Sequence, residues 1–261
     1  MKIHSLKSRI SAGDLVVGAW QTLNHPSITE IFTSAGYDFL VVDMEHSSMT
    51  VRDAEDLIRA ATLSQVPALV RLTSNDRDLA KRVMDSGATG IIVPMVNSRE
   101  DAKRAVRSVY YPPKGDRGVG LARAQGFGTK FQSYWDWSGS ETVVIVQIEH
   151  VDAVRNINEI LGTEGVDGYI LGPYDLSASL GMPGKFDSSP FKESVACVRA
   201  AAAKYKKTGG IHIVEPDLKL LKDSVADGFR FLAYSLDIRL ISQAAHAGIK
   251  VVGELAKKEQ P

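Results

Sequence analysis

"FLVVDM", residues 39–44, is an unbroken apolar, β-branched run that ends on a carboxylate, and "EHSSM" follows it at 45–49. A strand with one solvated face alternates apolar and polar residues, whereas a strand buried on both faces reads as a continuous apolar run. The stretch therefore predicts a strand of a covered parallel sheet, with Asp43, Glu45 and His46 gathered at its C-terminal end.

The same pattern recurs along the chain. Candidate strands are "VVGAWQ" at 16–21, "PALVRL" at 67–72, "GIIVPM" at 90–95, "VVIVQIE" at 143–149, "GYILG" at 168–172, "GGIHIV" at 209–214 and "RFLAYS" at 230–235, making eight with the first. Segments of helical spacing lie between them, including "PSITEIFTSAG", "TVRDAEDLIRAATLS", "NDRDLAKRVMDSGA", "SREDAKRAVRSV" and "DLKLLKDSVADGF". Several open on Thr, Asn, Ser or Asp, the residues that cap a helix N-terminus. Alternating strands and helices give a parallel sheet with both faces covered. Eight repeats in 261 residues favour closure into a (β/α)8 TIM barrel, a fold of roughly 250 residues, with one domain expected over 1–261. An open doubly wound sheet is the alternative.

Two connections exceed a simple link. The segment at 110–142, "YYPPKGDRGVGLARAQGFGTKFQSYWDWSGSET", is rich in Gly and aromatics, and "PYDLSASLGMPGKFDSSP" separates the sixth strand from a long helix at 190–207. Long loops in compact domains are commonly functional.

Charge excludes some partners. With 31 basic and 31 acidic residues the chain is formally neutral, so nothing draws it to nucleic acid or an anionic membrane, and a small-molecule partner is expected. The single cysteine, Cys197, admits no intrachain disulfide, fits a reducing compartment, and is expected to be a buried structural thiol. "MKIHSLKSRISAGD" lacks the apolar core of a secretory signal, and a cytoplasmic, soluble protein is expected.

In a barrel of this kind the chemistry sits at the C-terminal strand ends. Glu149 and Asp175 lie one βα unit apart there and suit a hard divalent cation, Mg²⁺ or Mn²⁺, although each equally suits a helix cap. Arg71 has the fork geometry for a substrate carboxylate; a salt bridge to a rim acid is the competing account. His46 fits a general base with Asp43 orienting its ring, while His150 is read as a cap. No candidate strand contains lysine, which leaves no Schiff-base residue inside the barrel, and HExxH, Walker and GxSxG patterns are missing from the sequence.

Taken together, "VVDMEHSSM", "VRLTSND", "IIVPMVNSREDAKRAV", "YYPPKGDRGVG", "VIVQIEH" and "GVDGYILGPYDLSASLG" resemble the HpcH/HpaI family of metal-dependent pyruvate aldolases over nearly the whole chain. The resemblance implies a barrel whose C-terminal helix is exchanged between subunits of a hexamer, a trimer of dimers. It implies cleavage of a 4-hydroxy-2-oxo acid to pyruvate, or a related 2-oxo acid, and an aldehyde through a metal-stabilised enolate. By position it places the metal (Mg²⁺, Mn²⁺ or Co²⁺) on Glu149 and Asp175 and the substrate carboxylate on Arg71. His46 becomes the catalytic histidine, preceded by Asp43, and Gln147 matches a glutamine beside the first metal ligand. Asp85 matches an aspartate that pairs with the histidine of a neighbouring subunit. Gly172 and Pro173 belong to the 2-oxo acid side, whereas Tyr174 and His212 depart from the small and aliphatic residues of relatives, as does "LARAQGFG" after "RGVG"; these departures bear on the aldehyde. Two other readings use the same residues: decarboxylation of an oxaloacetate-type diacid, and a catalytically silent carboxylate-binding barrel.

Overall fold

The computed structural model describes residues 5–258. Eight parallel strands close a barrel in sequence order: β1 (Val16–Gln21), β2 (Phe39–Asp43), β3 (Ala68–Arg71), β4 (Gly90–Val93), β5 (Val143–Ile148), β6 (Gly168–Leu171), β7 (Thr208–Ile213) and β8 (Phe231–Leu236), with β8 pairing back onto β1. The helices are α1 (Leu6–Ala12), α2 (Pro26–Ser34), α3 (Val51–Leu63), α4 (Arg77–Asp85), α5 (Arg99–Val109), α6 (Phe131–Glu141), α7 (Val151–Arg155), α8 (Ile157–Leu161), α9 (Pro173–Ser179), α10 (Ser189–Tyr205), α11 (Leu218–Ala226) and α12 (Asp237–Lys258). The closed ring rules out the open sheet.

Alternation of side chains along each strand divides the core in two. One set, including Phe39, Val41, Leu69, Ile92, Ile145, Ile170 and Phe231, fills the barrel; the other, including Leu40, Val42, Val70, Ile91, Val144, Val146 and Leu171, packs under the helices. Phe39 and Phe231 stack across the lumen at 4.5 Å, in space opened by Gly18, where a Cβ would collide with the Phe39 ring. The sequence reading lacked α1, whose Leu6 and Ile10 join the barrel filling; Lys7 fastens it to the Thr142 carbonyl at 2.6 Å and to Asp167 at 2.9 Å.

Capping is as the composition predicted. Thr50 and Asp53 form a reciprocal capping box on α3, and the Asp76 and Ser98 side chains cap α4 and α5. The long connection at 110–142 is not all loop, since "FQSYWDWSGSE" forms α6. Cys197 corrects the expectation of a buried thiol: it lies on the exposed face of α10, which turns Ser194, Val198 and Ala201 inward. α12 packs its start against β1 and β8, and Ile241, Ile249, Val252 and Leu255 farther along it are exposed. Among the described residues no helix is long and apolar enough to cross a membrane.

Candidate active site

Parallel pairing of β2 with β3 sets Asp43 directly opposite Arg71, each the last residue of its strand. Arg71 Nε and Nη2 donate to the two Asp43 carboxylate oxygens at 2.9 and 2.7 Å, a bidentate pair that is nearly buried. Burial pushes the Asp43 carboxyl up, but the Arg71 guanidinium outweighs it and the carboxyl is held below its ordinary range. This corrects the role expected for Asp43. It does not orient the His46 imidazole; its Oδ1 instead accepts the backbone N–H groups of Glu45 and His46 at 3.0 and 3.3 Å, which fixes the turn that carries them.

Two of the five guanidinium N–H groups are thus committed to Asp43, and three remain. Glu45 Oε2 lies 3.0 Å from Arg71 Nη1 but without hydrogen-bond geometry, and it has no other partner although it is buried. Burial raises the Glu45 carboxyl to about 7; Arg71 opposes the rise, and the charges of Glu149, Asp43 and Asp175 add to it. The His46 side chain stands mostly exposed on the rim, its Nε2 3.9 Å from Glu45.

Glu149 follows β5 and is 3% exposed. Its Oε1 accepts the Met95 backbone N–H at 2.7 Å, and its Oε2 accepts the Gln147 side-chain amide. Met95 reaches that position with φ +53°, an uncommon conformation for a residue with a side chain. Gly172 packs against the carboxylate so closely that a Cβ there would sit 2.8 Å from Glu149 Oε2. Burial raises the Glu149 carboxyl, and the nearby Asp175 charge adds to this against the two hydrogen bonds. Asp175 lies in the first turn of α9, directly after β6.

Asp43 and Glu45 lie against the Arg71 guanidinium, and the charges of Glu149 and Asp175 act on Glu45 as well, so four carboxyl groups share one guanidinium, an acidic excess that a divalent cation would relieve. Among the described residues no cluster of three or more His, Cys, Asp or Glu is arranged for a metal, so a cation here would rest on two carboxylates and keep positions open for other oxygens, as hard cations do. The donor set fits.

A cavity of about 270 Å³ lies at the C-terminal face, lined by Asp43, His46, Arg71, Gln147, Gly172, Pro173, Tyr174, Asp175 and His212 among others, with Glu149 reached from it through its neighbours Gln147 and Gly172. The sequence reading missed Trp20, whose ring lies between two of them: His212 stacks on it at 4.3 Å, and the Arg71 guanidinium sits 4.8 Å from its centroid. Its place at the end of β1 was the available signal. Asp85, the last residue of α4, lies apart, with its carboxylate on Arg117 Nη2 at 2.5 Å rather than on His46. His150 caps α7, as read from its position.

The model of the HpcH/HpaI aldolase/citrate lyase family matches residues 17–244, from β1 into α12. The chain belongs to this family. Its HpcH/HpaI relatives include a hydroxypyruvate/pyruvate aldolase of Roseobacter denitrificans, 34% identical over 92% of this chain and 93% of the relative. A 2-keto-3-deoxy-L-rhamnonate aldolase of Escherichia coli is 34% identical over 91% and 89%. Among solved structures, the HpcH/HpaI aldolase of Desulfitobacterium hafniense superposes with a TM-score of 0.88 at 33% identity, covering 98% of both chains. As a member of the HpcH/HpaI family this chain is a carbon–carbon lyase of the aldolase type.

Proposed function

We propose that the protein reversibly cleaves a 4-hydroxy-2-oxo acid into pyruvate, or a related 2-oxo acid, and an aldehyde, with a divalent cation held by Glu149 and Asp175. The observation that carries the reading is the Asp43-anchored Arg71 at the rim of a carboxylate-lined cavity: Asp43 fixes the guanidinium in direction, and of its remaining N–H donors, with Nη1 3.0 Å from Glu45 Oε2, those on the cavity side would receive a substrate carboxylate. Bound Mg²⁺, Mn²⁺ or Co²⁺ supplies Lewis-acid polarisation of the 2-oxo group.

The chain's own residues do the rest. Arg71 binds the carboxylate and orients the C3–C4 bond, and Gln147 holds Glu149 in place through its amide. His46, exposed at the rim, takes the proton of the 4-hydroxyl; the aldehyde carbonyl forms as the C3–C4 bond breaks, its electron pair passes into the 2-oxo acid as an enolate, and return of a proton to C3 gives pyruvate. Asp85 makes no hydrogen bond or ion pair with its own His46, and we assign it, positioned by Arg117, to the histidine of a second copy. The exposed apolar residues of α12 support its exchange with a partner in a homo-oligomer, for which a trimer of dimers is the expected form. A cytoplasmic, small-molecule enzyme is consistent with these assignments.

The test is exchange of pyruvate C3 protons followed by NMR in D2O. Exchange that EDTA abolishes and Mg²⁺ or Mn²⁺ restores is expected; exchange that survives EDTA removes the cation from the scheme.

A further inference from the structure

A second cavity adjoins the first. It lies outside the barrel wall between β7, α10 and α11, has a volume of about 390 Å³, and shares Leu171, Pro173, Tyr174, His212 and Val214 with the substrate cavity. Its lining includes Phe186, Phe191, Val195, Ile211, Leu220 and Phe229. The Tyr174 ring meets Phe186 edge-on at 5.1 Å, and Phe186 lies 5.4 Å from Phe191. An aromatic row thus runs from the residue beside Asp175 into the apolar chamber.

We propose that this chamber receives the tail of the aldehyde, so that the enzyme selects 4-hydroxy-2-oxo acids whose C4 carries an uncharged aliphatic or aromatic substituent. The inference rests on the aldolase reading above and names its substrate class. The chamber has the size and the apolar, aromatic lining of a small-molecule site. The charged groups in its lining are the carboxylates of Asp187, Glu215, Asp223 and Asp227, the first three paired with Lys192, Arg239 and Lys219 from outside the lining, and no lysine or arginine lines the chamber to receive an anionic tail. His212 at the junction offers no compensating charge, since burial and then Arg71 hold its imidazole down at about 4. Tyr174 and His212 line both cavities, so a tail passing from the first to the second would run between them.

Burial of each methylene raises kcat/KM by about threefold to fourfold where it leaves water completely. Addition of pyruvate to straight-chain aldehydes is therefore expected to rise in kcat/KM by about threefold per carbon from propanal to hexanal. Pentanal should exceed 5-oxopentanoate, its carboxylate-tailed counterpart, by tenfold or more. Val195→Trp, which fills the chamber from α10, should abolish the dependence on chain length while propanal retains its rate. Leu220→Trp, at a half-exposed position where folding is tolerant, should do the same, with circular dichroism confirming the fold of both variants. A flat series, a preference for 5-oxopentanoate, or unchanged length dependence in both folded variants overturns the proposal while pyruvate exchange stays intact. Absence of that exchange overturns the aldolase reading itself, so the two failures are distinguishable.

Discussion

Arg71 and Asp43 face each other across adjacent parallel strands and share two hydrogen bonds, 2.9 and 2.7 Å long, with Asp43 1% exposed. Breaking a buried pair of this kind is worth more than the pair itself, because it strands the remaining charge. Asp43→Asn should destabilise the fold by about 3 kcal/mol in urea denaturation. It should also raise KM for the 2-oxo acid at least tenfold, since Arg71 loses its fixed direction. Unchanged KM in a destabilised but folded variant would separate the pair from carboxylate binding.

Gly172 packs against the carboxylate assigned to the cation. An added Cβ would sit 2.8 Å from Glu149 Oε2 and 2.9 Å from its Cβ, and Glu149 is already held by Met95 and Gln147, leaving it little room to move. Gly172→Ala should weaken activation by Mn²⁺ at least tenfold, with a lowered melting temperature from the displaced carboxylate in a variant that still folds. Titration calorimetry with the metal alone reads this directly, and wild-type affinity in the variant would place the cation elsewhere.

The barrel was legible because each strand is buried on both faces, so that apolar runs such as "VVIVQI" stand out from their flanks without any long-range information. The predicted strand ends agree to within about two residues. What local sequence does not encode is register. Asp43 is three residues from His46 in sequence, yet the β2–β3 pairing gives it to Arg71. Cys197 was misplaced for a related reason: "VACVRAAAA" is small and apolar apart from Arg199, and only the packing of Val198 and Ala201 decides which of its apolar residues turn inward on α10. Met95 contributes a backbone N–H to Glu149, and no side-chain pattern announces that.

His212 carries a pH dependence whose sign follows from its environment. Burial, and then Arg71, depress its pKa from 6.5 to about 4, so the unfolded chain takes up the proton before the folded one does. The stability contributed by the neutral ring is complete above pH 6.5 and is lost as the pH falls through 4. The melting temperature of the wild type should therefore drop more steeply between pH 6.5 and 4 than that of His212→Leu. Parallel curves would show that the ring is solvated in the folded state.

Arg117 is the most deeply buried cation of the long connection, with its side chain fully out of solvent. Nη1 donates to the Tyr134 hydroxyl at 2.9 Å and Nη2 to Asp85, while the Tyr111 and Tyr134 rings lie 4.7 and 5.3 Å from the guanidinium carbon. Burial works against the charge, and Tyr134 and Asp85 more than restore it, raising its pKa. Arg117→Met keeps the apolar contacts and removes the charge, leaving Asp85 without its ion-pair partner. Because Asp85 is partly solvated, its loss of a partner is softened, and a destabilisation of about 2 kcal/mol is expected. The diagnostic effect is on activity: freed from Arg117, the carboxylate assigned to a second copy's histidine loses its position, and kcat should fall at least tenfold with KM for the 2-oxo acid little changed. An equal rise in KM would mean that Arg117 supports the substrate cavity rather than Asp85.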